Sequence, residues 1–199
     1  MITHRLAGTV LVFLGLGLLV VPARGQEARL LDRLPHGTAV AVQQLIDSVA
    51  ATLPTEPLIK KALEGQSKGA DSARILVAVR GLAAYLASAR QALGPAASEP
   101  DLVAGAAALR AGATQTSLGT LRSLRDRRPV SVALSVYADL LTSGIPADRA
   151  WSEVRALAER RVPDSEFLAL RDRVAGGRDP TGRSLPPAPH SDGLEHPSP

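Results

Sequence analysis

Cysteine is absent from all 199 residues, which excludes a disulfide framework, thiol chemistry and lipid attachment through a cysteine thiol. Aromatic residues are nearly as scarce, with one Trp, two Tyr and two Phe. Beyond residue 25 only Tyr85, Tyr137, Trp151 and Phe167 remain. A core must therefore come from Leu, Val, Ile and Ala, a composition suited to closely packed helices rather than to a sheet rich in aromatic and β-branched residues. Of the four histidines, His4 lies near the start and His190 and His196 near the end, so His36 is the one available to a central domain. The chain also lacks a G-x-x-x-x-G-K-[ST] phosphate loop and an H-E-x-x-H zinc pair, and Gly15 and Gly17 sit in an apolar run rather than a dinucleotide fingerprint. No cofactor is called.

Charge of one sign is missing too. Lys and Arg total 23 against 19 Asp and Glu, a net of +4, and two of the basic residues, Arg5 and Arg24, precede residue 26. The remainder is close to balance and has neither the basic stripe nor the stacking aromatics of a nucleic-acid-binding surface.

The chain opens as an address. Arg5 supplies a positive start, Leu6 to Val21 is uncharged and apolar, and Ala23-Arg24-Gly25 places small residues where a signal peptidase reads them. A run of this length rises about 24 Å as a helix, short of the roughly 30 Å hydrocarbon core. Cleavage before Gln26 and export are the expectation. The domain plan is a signal peptide at 1–25, a linker at 26–33, a helical domain at 34–175, and a disordered tail at 176–199 rich in Pro and Gly. The tail's His190-Ser191-Asp192-Gly193-Leu194-Glu195-His196 offers metal-ligand types without fixed geometry, so no metal site is called.

What the sequence does contain is a returning helix start, at intervals of roughly 17 residues, of the kind that marks helical-repeat architecture. It recurs at Leu34-Pro35, Leu53-Pro54, Ala70-Asp71, Ala97-Ser98, Ala113-Thr114, Arg128-Pro129, Ile145-Pro146 and Val162-Pro163. Proline at a first turn forfeits no helical hydrogen bond, and Asp, Ser or Thr caps exposed N–H groups. Gly69, Gly94, Gly112 and Gly144 stand before several of these starts as helix stops. One interval is longer: Ile75, Leu76, Val79, Leu82, Ala83, Leu86, Ala89 and Leu93 keep helical spacing through a central helix from Ser72 to Leu93. Val130 to Tyr137 alternates locally like a strand, yet continues to Ser143-Gly144 at helix length and is read as helix. The fold class predicted is all-α, a compact multi-helix domain of about six to eight short, repeat-like helices with one longer central helix.

Two charged clusters are the candidate binding residues. Glu56, Lys60, Glu64 and Lys68 recur every four residues with alternating sign. On one helix they form a ladder, which either stabilises a solvated face or, with the glycine turn after it, lines a groove for a polar ligand. Arg122, Arg125 and Arg128, with Arg127 and Asp126 among them, follow Leu118, Leu121 and Leu124 at a helix end. Positive charge there suits the macrodipole, or forms a patch for phospholipid headgroups or an acidic envelope polymer. Tyr137 and Asp139 form a further candidate, as a buried polar pair, although Ser135, Asp139 and Ser143 share a face suited to solvent. Gly65-Gln66-Ser67-Lys68-Gly69 matches the G-x-S-x-G nucleophile elbow in letters only, because helix precedes and follows it and no triad histidine accompanies it.

The segment from Leu53 to Ala70, with its Pro-x-x-Pro-Leu start, Lys-Ala-Leu-Glu-Gly and Lys-Gly-Ala turn, resembles one found in a group of uncharacterised, predicted exported bacterial proteins. That resemblance implies export and a helical fold, and no reaction. No catalytic residue is called. The leading expectation is a non-enzymatic binding or scaffold protein of the bacterial cell envelope, periplasmic or secreted, whose partner is an envelope macromolecule or protein and not nucleic acid. The alternatives are an enzyme with an unfamiliar polar site near Glu56 to Lys68 and His36, and a protein held at the inner membrane by an uncleaved signal. Membrane association is expected only through that signal or the arginine cluster.

Overall fold

The computed structural model describes residues 23–126 and 128–176. Among these there are nine helices and no strand: α1 (Ala23–Leu31), α2 (His36–Val49), α3 (Glu56–Ser67), α4 (Ser72–Leu93), α5 (Glu99–Arg110), α6 (Gln115–Leu124), α7 (Ser131–Thr142), α8 (Ala147–Glu159) and α9 (Asp164–Gly176). Each of the eight starts in the sequence opens a helix, from α2 to α9. The ninth helix is α1, which occupies much of the stretch expected as a linker and buries Leu30 completely. The rest of the expected signal segment and of the tail lies outside the described residues.

The starts repeat because stop and start share residues. After α3, α5, α7 and α8 the chain makes the same Schellman turn, in which one residue enters the left-handed region and the next donates its N–H to the carbonyl five residues earlier. Ala70 donates to Gly65 at 3.0 Å, Ala113 to Ala108 at 2.9 Å, Ile145 to Leu140 at 3.1 Å and Val162 to Leu157 at 3.4 Å. Each of those four donors packs on the core, and the very next residue, Asp71, Thr114, Pro146 or Pro163, begins the next helix. Asp71 accepts a bond from the Arg74 N–H, and Thr114 and Ser117 form a reciprocal capping box.

The long helix α4 packs against α2, α3, α5 and α6, while α7 lies against α5, α8 and α9. By length and composition α4 alone among the described helices is able to cross a membrane, but it buries Ile75, Val79, Ala83, Leu86, Ala89 and Leu93 against its neighbours. Alanines bring the central helices close: Ala104, Ala106 and Ala108 of α5 and Ala133 and Ala138 of α7 are all buried. Gly105 is where three of them meet. A Cβ there would lie 3.1 Å from the Ala89 Cβ, 3.1 Å from Leu93 and 3.3 Å from Leu118, so α4, α5 and α6 meet over a residue with no side chain.

Two polar groups fasten the interior. Asp101, at the start of α5, is buried; its Oδ2 accepts the Ser98 N–H at 3.4 Å in a capping box, and its Oδ1 accepts the buried Val130 N–H at 2.9 Å. One carboxylate thus holds the entry of α5 to the entry of α7. At the other end, the α2 and α4 starts are joined by a 2.5 Å hydrogen bond between the Thr38 and Ser72 hydroxyls.

Candidate functional site

The ladder forms as a surface device. Lys60 approaches Glu56 at 3.9 Å, Lys61 lies 3.1 Å from Glu64, and Lys68 closes on Glu64 from the next turn. Lys60 and Lys68 are 71% and 69% exposed, so no enclosed pocket gathers these charges. Glu56 is turned toward α1, where Arg29 reaches its carboxylate at 3.0 Å. Glu64 is the most perturbed member: hydrogen bonds from Lys68 and then Lys61, with the charges of both, hold its carboxyl down to about 2 from an ordinary 4.5. Ion pairs this exposed are screened by solvent and add little to stability. The G-x-S-x-G letters carry no nucleophile elbow here, because Ser67 ends α3 with its hydroxyl donating to the Glu64 carbonyl at 2.9 Å. Gly65 faces Ile75, whose Cγ1 would stand 2.9 Å from an added Cβ, and Gly69 is the left-handed turn residue at φ 69. His36 is exposed at the first turn of α2.

The arginines divide by role. Arg125 is 5% exposed and therefore belongs to the framework rather than to a charged surface. Its Nη2 donates to Asp164 at 2.5 Å, its Nε donates to the Pro129 carbonyl at 3.0 Å, and its guanidinium lies 5.1 Å from the centre of the Phe167 ring. Arg128 is exposed, and its two terminal nitrogens donate to the carbonyls of Arg161 and Val162 at 2.9 and 3.4 Å, satisfying the turn after α8. Arg122 in turn donates to the Arg128 carbonyl at 3.2 Å. The three lie near one another at the end of α6, and Arg125 and Arg128 point into the joint between α6, α8 and α9.

A groove that the sequence did not announce lies across α6, α7 and α8. Its floor is Tyr137, Trp151 and Ser117, and its rim is Thr114, Thr116, Thr120, Asp148 and Arg155, around a hollow of about 360 Å³. A second hollow of about 310 Å³, beside Ser152, Ala156 and Glu159, shares Trp151 and Arg155 with the first. The two rings sit 5.7 Å apart at 45°, a tilted aromatic pair that fixes the indole. Burial pushes the Tyr137 phenol above its ordinary value, and the neighbouring Ser117 hydroxyl offsets this only in part. Tyr137 is therefore neutral at physiological pH and offers a hydroxyl, not an oxyanion. The suggested Tyr137 and Asp139 pair is not made, since Asp139 and Ser135 face solvent. Signals for the groove did exist, in the hydroxyl run Thr114, Thr116, Ser117 and Thr120 and the chain's one tryptophan. Only the packing of α7 against α8 brings them together.

Among the described residues no group of three or more His, Cys, Asp or Glu side chains is arranged to hold a metal ion. No protein-family model, curated protein or solved structure matches the chain.

Proposed function

We propose that this is an exported, non-enzymatic binding protein of the bacterial cell envelope, and that the groove around Trp151 is where it takes a polar, extended partner. The observation carrying this reading is the half-buried indole, clamped by Tyr137, with hydroxyls and one charge of each sign around it. Aromatic faces set among convergent polar groups are the usual make-up of a binding cleft, and a volume of a few hundred Å³ falls in the range of such sites. Two adjoining hollows suit a chain passing over Trp151 better than a compact ligand. A glycan strand is the partner whose chemistry fits, since its sugar rings offer apolar faces to stack on the indole and hydroxyl edges for Thr114, Thr116, Asp148 and Arg155.

Export fits the same reading. Cleavage before Gln26 keeps Arg29 and Leu30, which pair with Glu56 and enter the core, and a repeat-like descent fits the four connections that use one turn. The chain's single tryptophan makes the test direct. Titration with soluble envelope glycan fragments should shift Trp151 emission saturably, and Asp148→Ala should weaken that response without unfolding the domain. An emission spectrum unmoved by millimolar glycan sinks the groove reading. Mass spectrometry of the mature N-terminus tests export, with Gln26 as the expected first residue.

A further inference from the structure

Two non-glycine residues among those described hold left-handed backbone conformations, Asp126 at φ 49 and Arg161 at φ 54. Both follow a helix, at the position that Gly69, Gly112 and Gly144 fill in the sister turns with φ of 69, 109 and 80. Glycine is the residue this conformation favours; aspartate tolerates it and arginine gains nothing from it. Far apart in sequence, both line the same hollow of about 140 Å³, together with Leu124, Arg125 and Arg128. Two non-glycine residues thus hold this conformation at one place, Arg161 against its local preference, and departures of this kind collect at functional sites.

The charges around the hollow are of two sorts. Arg125 is engaged by Asp164 and the Pro129 carbonyl, and Arg128 by the turn carbonyls of Arg161 and Val162. The Asp126 carboxylate and the Arg161 guanidinium, by contrast, form no hydrogen bond or ion pair within the described residues, not even with each other. An anion alone would meet Asp126, and a cation alone would meet the arginines.

We propose that this hollow binds a compact zwitterion of the size of glycine or alanine, its ammonium group against Asp126 and its carboxylate against Arg161, with Arg128 behind. The volume agrees, being close to the roughly 150 Å³ cavity that accepts a six-membered ring; alanine has as many heavy atoms. These residues are separate from the Trp151 groove, so the two sites stand or fall independently.

The test is an NMR titration of the ¹⁵N-labelled full chain with alanine, and with acetate and methylamine as single-charge controls. Alanine should give saturable shifts confined to the amides of residues 124–128 and 160–162, and the controls should not. Arg161→Gly and Asp126→Gly should each weaken alanine binding about 10- to 100-fold, the effect of losing one hydrogen bond to a charged group, while raising the melting temperature because glycine relieves the backbone. Absence of saturable shifts overturns the proposal, as does acetate binding as well as alanine, or an Arg161→Gly protein that retains wild-type affinity. A fall in melting temperature for both glycine variants overturns the premise that the conformation is held against local preference.

Discussion

Replacing Asp101 by alanine is the sharpest test of how this fold is held together. The Val130 N–H sits at the entry of α7, before the helix has carbonyls to satisfy it, and Val130 is fully buried. Its acceptor is the Asp101 Oδ1 at 2.9 Å. With the carboxylate gone this donor has neither partner nor water, at a cost of about 1 to 3 kcal/mol. The same substitution removes half of the Ser98 capping box, worth about 0.5 to 1 kcal/mol more. Asp101→Ala should therefore lose about 1.5 to 4 kcal/mol, or about 3 to 16 °C in melting temperature at 2 to 4 °C per kcal/mol for a domain of this size. Asp101→Asn keeps an oxygen in place of Oδ1 but sets an NH2 against the Ser98 N–H, and should lose about 1 kcal/mol, the share due to the charge and the capping bond. Urea unfolding of the three proteins, with amide exchange at Val130, gives the answer. If alanine and asparagine cost the same, or if alanine costs under 1 kcal/mol, the buried bond does not couple α5 to α7 and the reasoning fails.

Other consequences can be checked alongside. Arg125→Lys should destabilise nearly as much as Arg125→Met, because a lysine cannot reach Asp164 and the Pro129 carbonyl together while lying over Phe167; each should cost about 2 to 3 kcal/mol by thermal unfolding, and full rescue by lysine would show that charge alone matters. Glu64 has its carboxyl lowered in the folded chain, so its stabilising effect is complete above pH 4.5 and is lost as pH falls toward 2. Glu64→Gln should flatten the stability profile in that window only, and a difference that persists unchanged to pH 2 would contradict the assignment. Gly105→Ala gains about 1 kcal/mol of helix propensity but must push the Ala89 methyl and Leu118 aside; a net loss of about 1 kcal/mol in urea unfolding is expected, and a gain would mean that α4 and α5 separate freely.

The helix starts were legible because each rests on local chemistry. A left-handed residue, an apolar residue and a cap follow one another within a few positions, and no distant contact is needed to form them. The α7 segment was readable for a related reason: its strand-like alternation ran on too long, to a glycine stop at Gly144. Where two distant segments meet, local reading had nothing to work on. Asp101 looked like an ordinary first-turn acid, and its bond to Val130 depends on α5 lying against α7. Arg125 read as one of a surface row because its burial is decided by Phe167 and Asp164 of α9. The groove likewise needs α6 and α8 to flank Tyr137. In α1 the apolar content was too thin to announce a helix; among its described side chains Leu30 enters the core and Arg29 pairs with Glu56.

The shared turns also decide where this chain can be lengthened. At Gly112-Ala113-Thr114 one helix's stop, a core contact and the next helix's cap occupy consecutive residues, so an inserted residue must break one of the three. At Ala50, Ala51 and Thr52 between α2 and α3 the chain is exposed and carries no such overlap, which makes it the natural seam for a tag, a fused domain or new termini. A protein wound in this way drifts by changing the surfaces of its helices while their lengths and spacing stay nearly fixed.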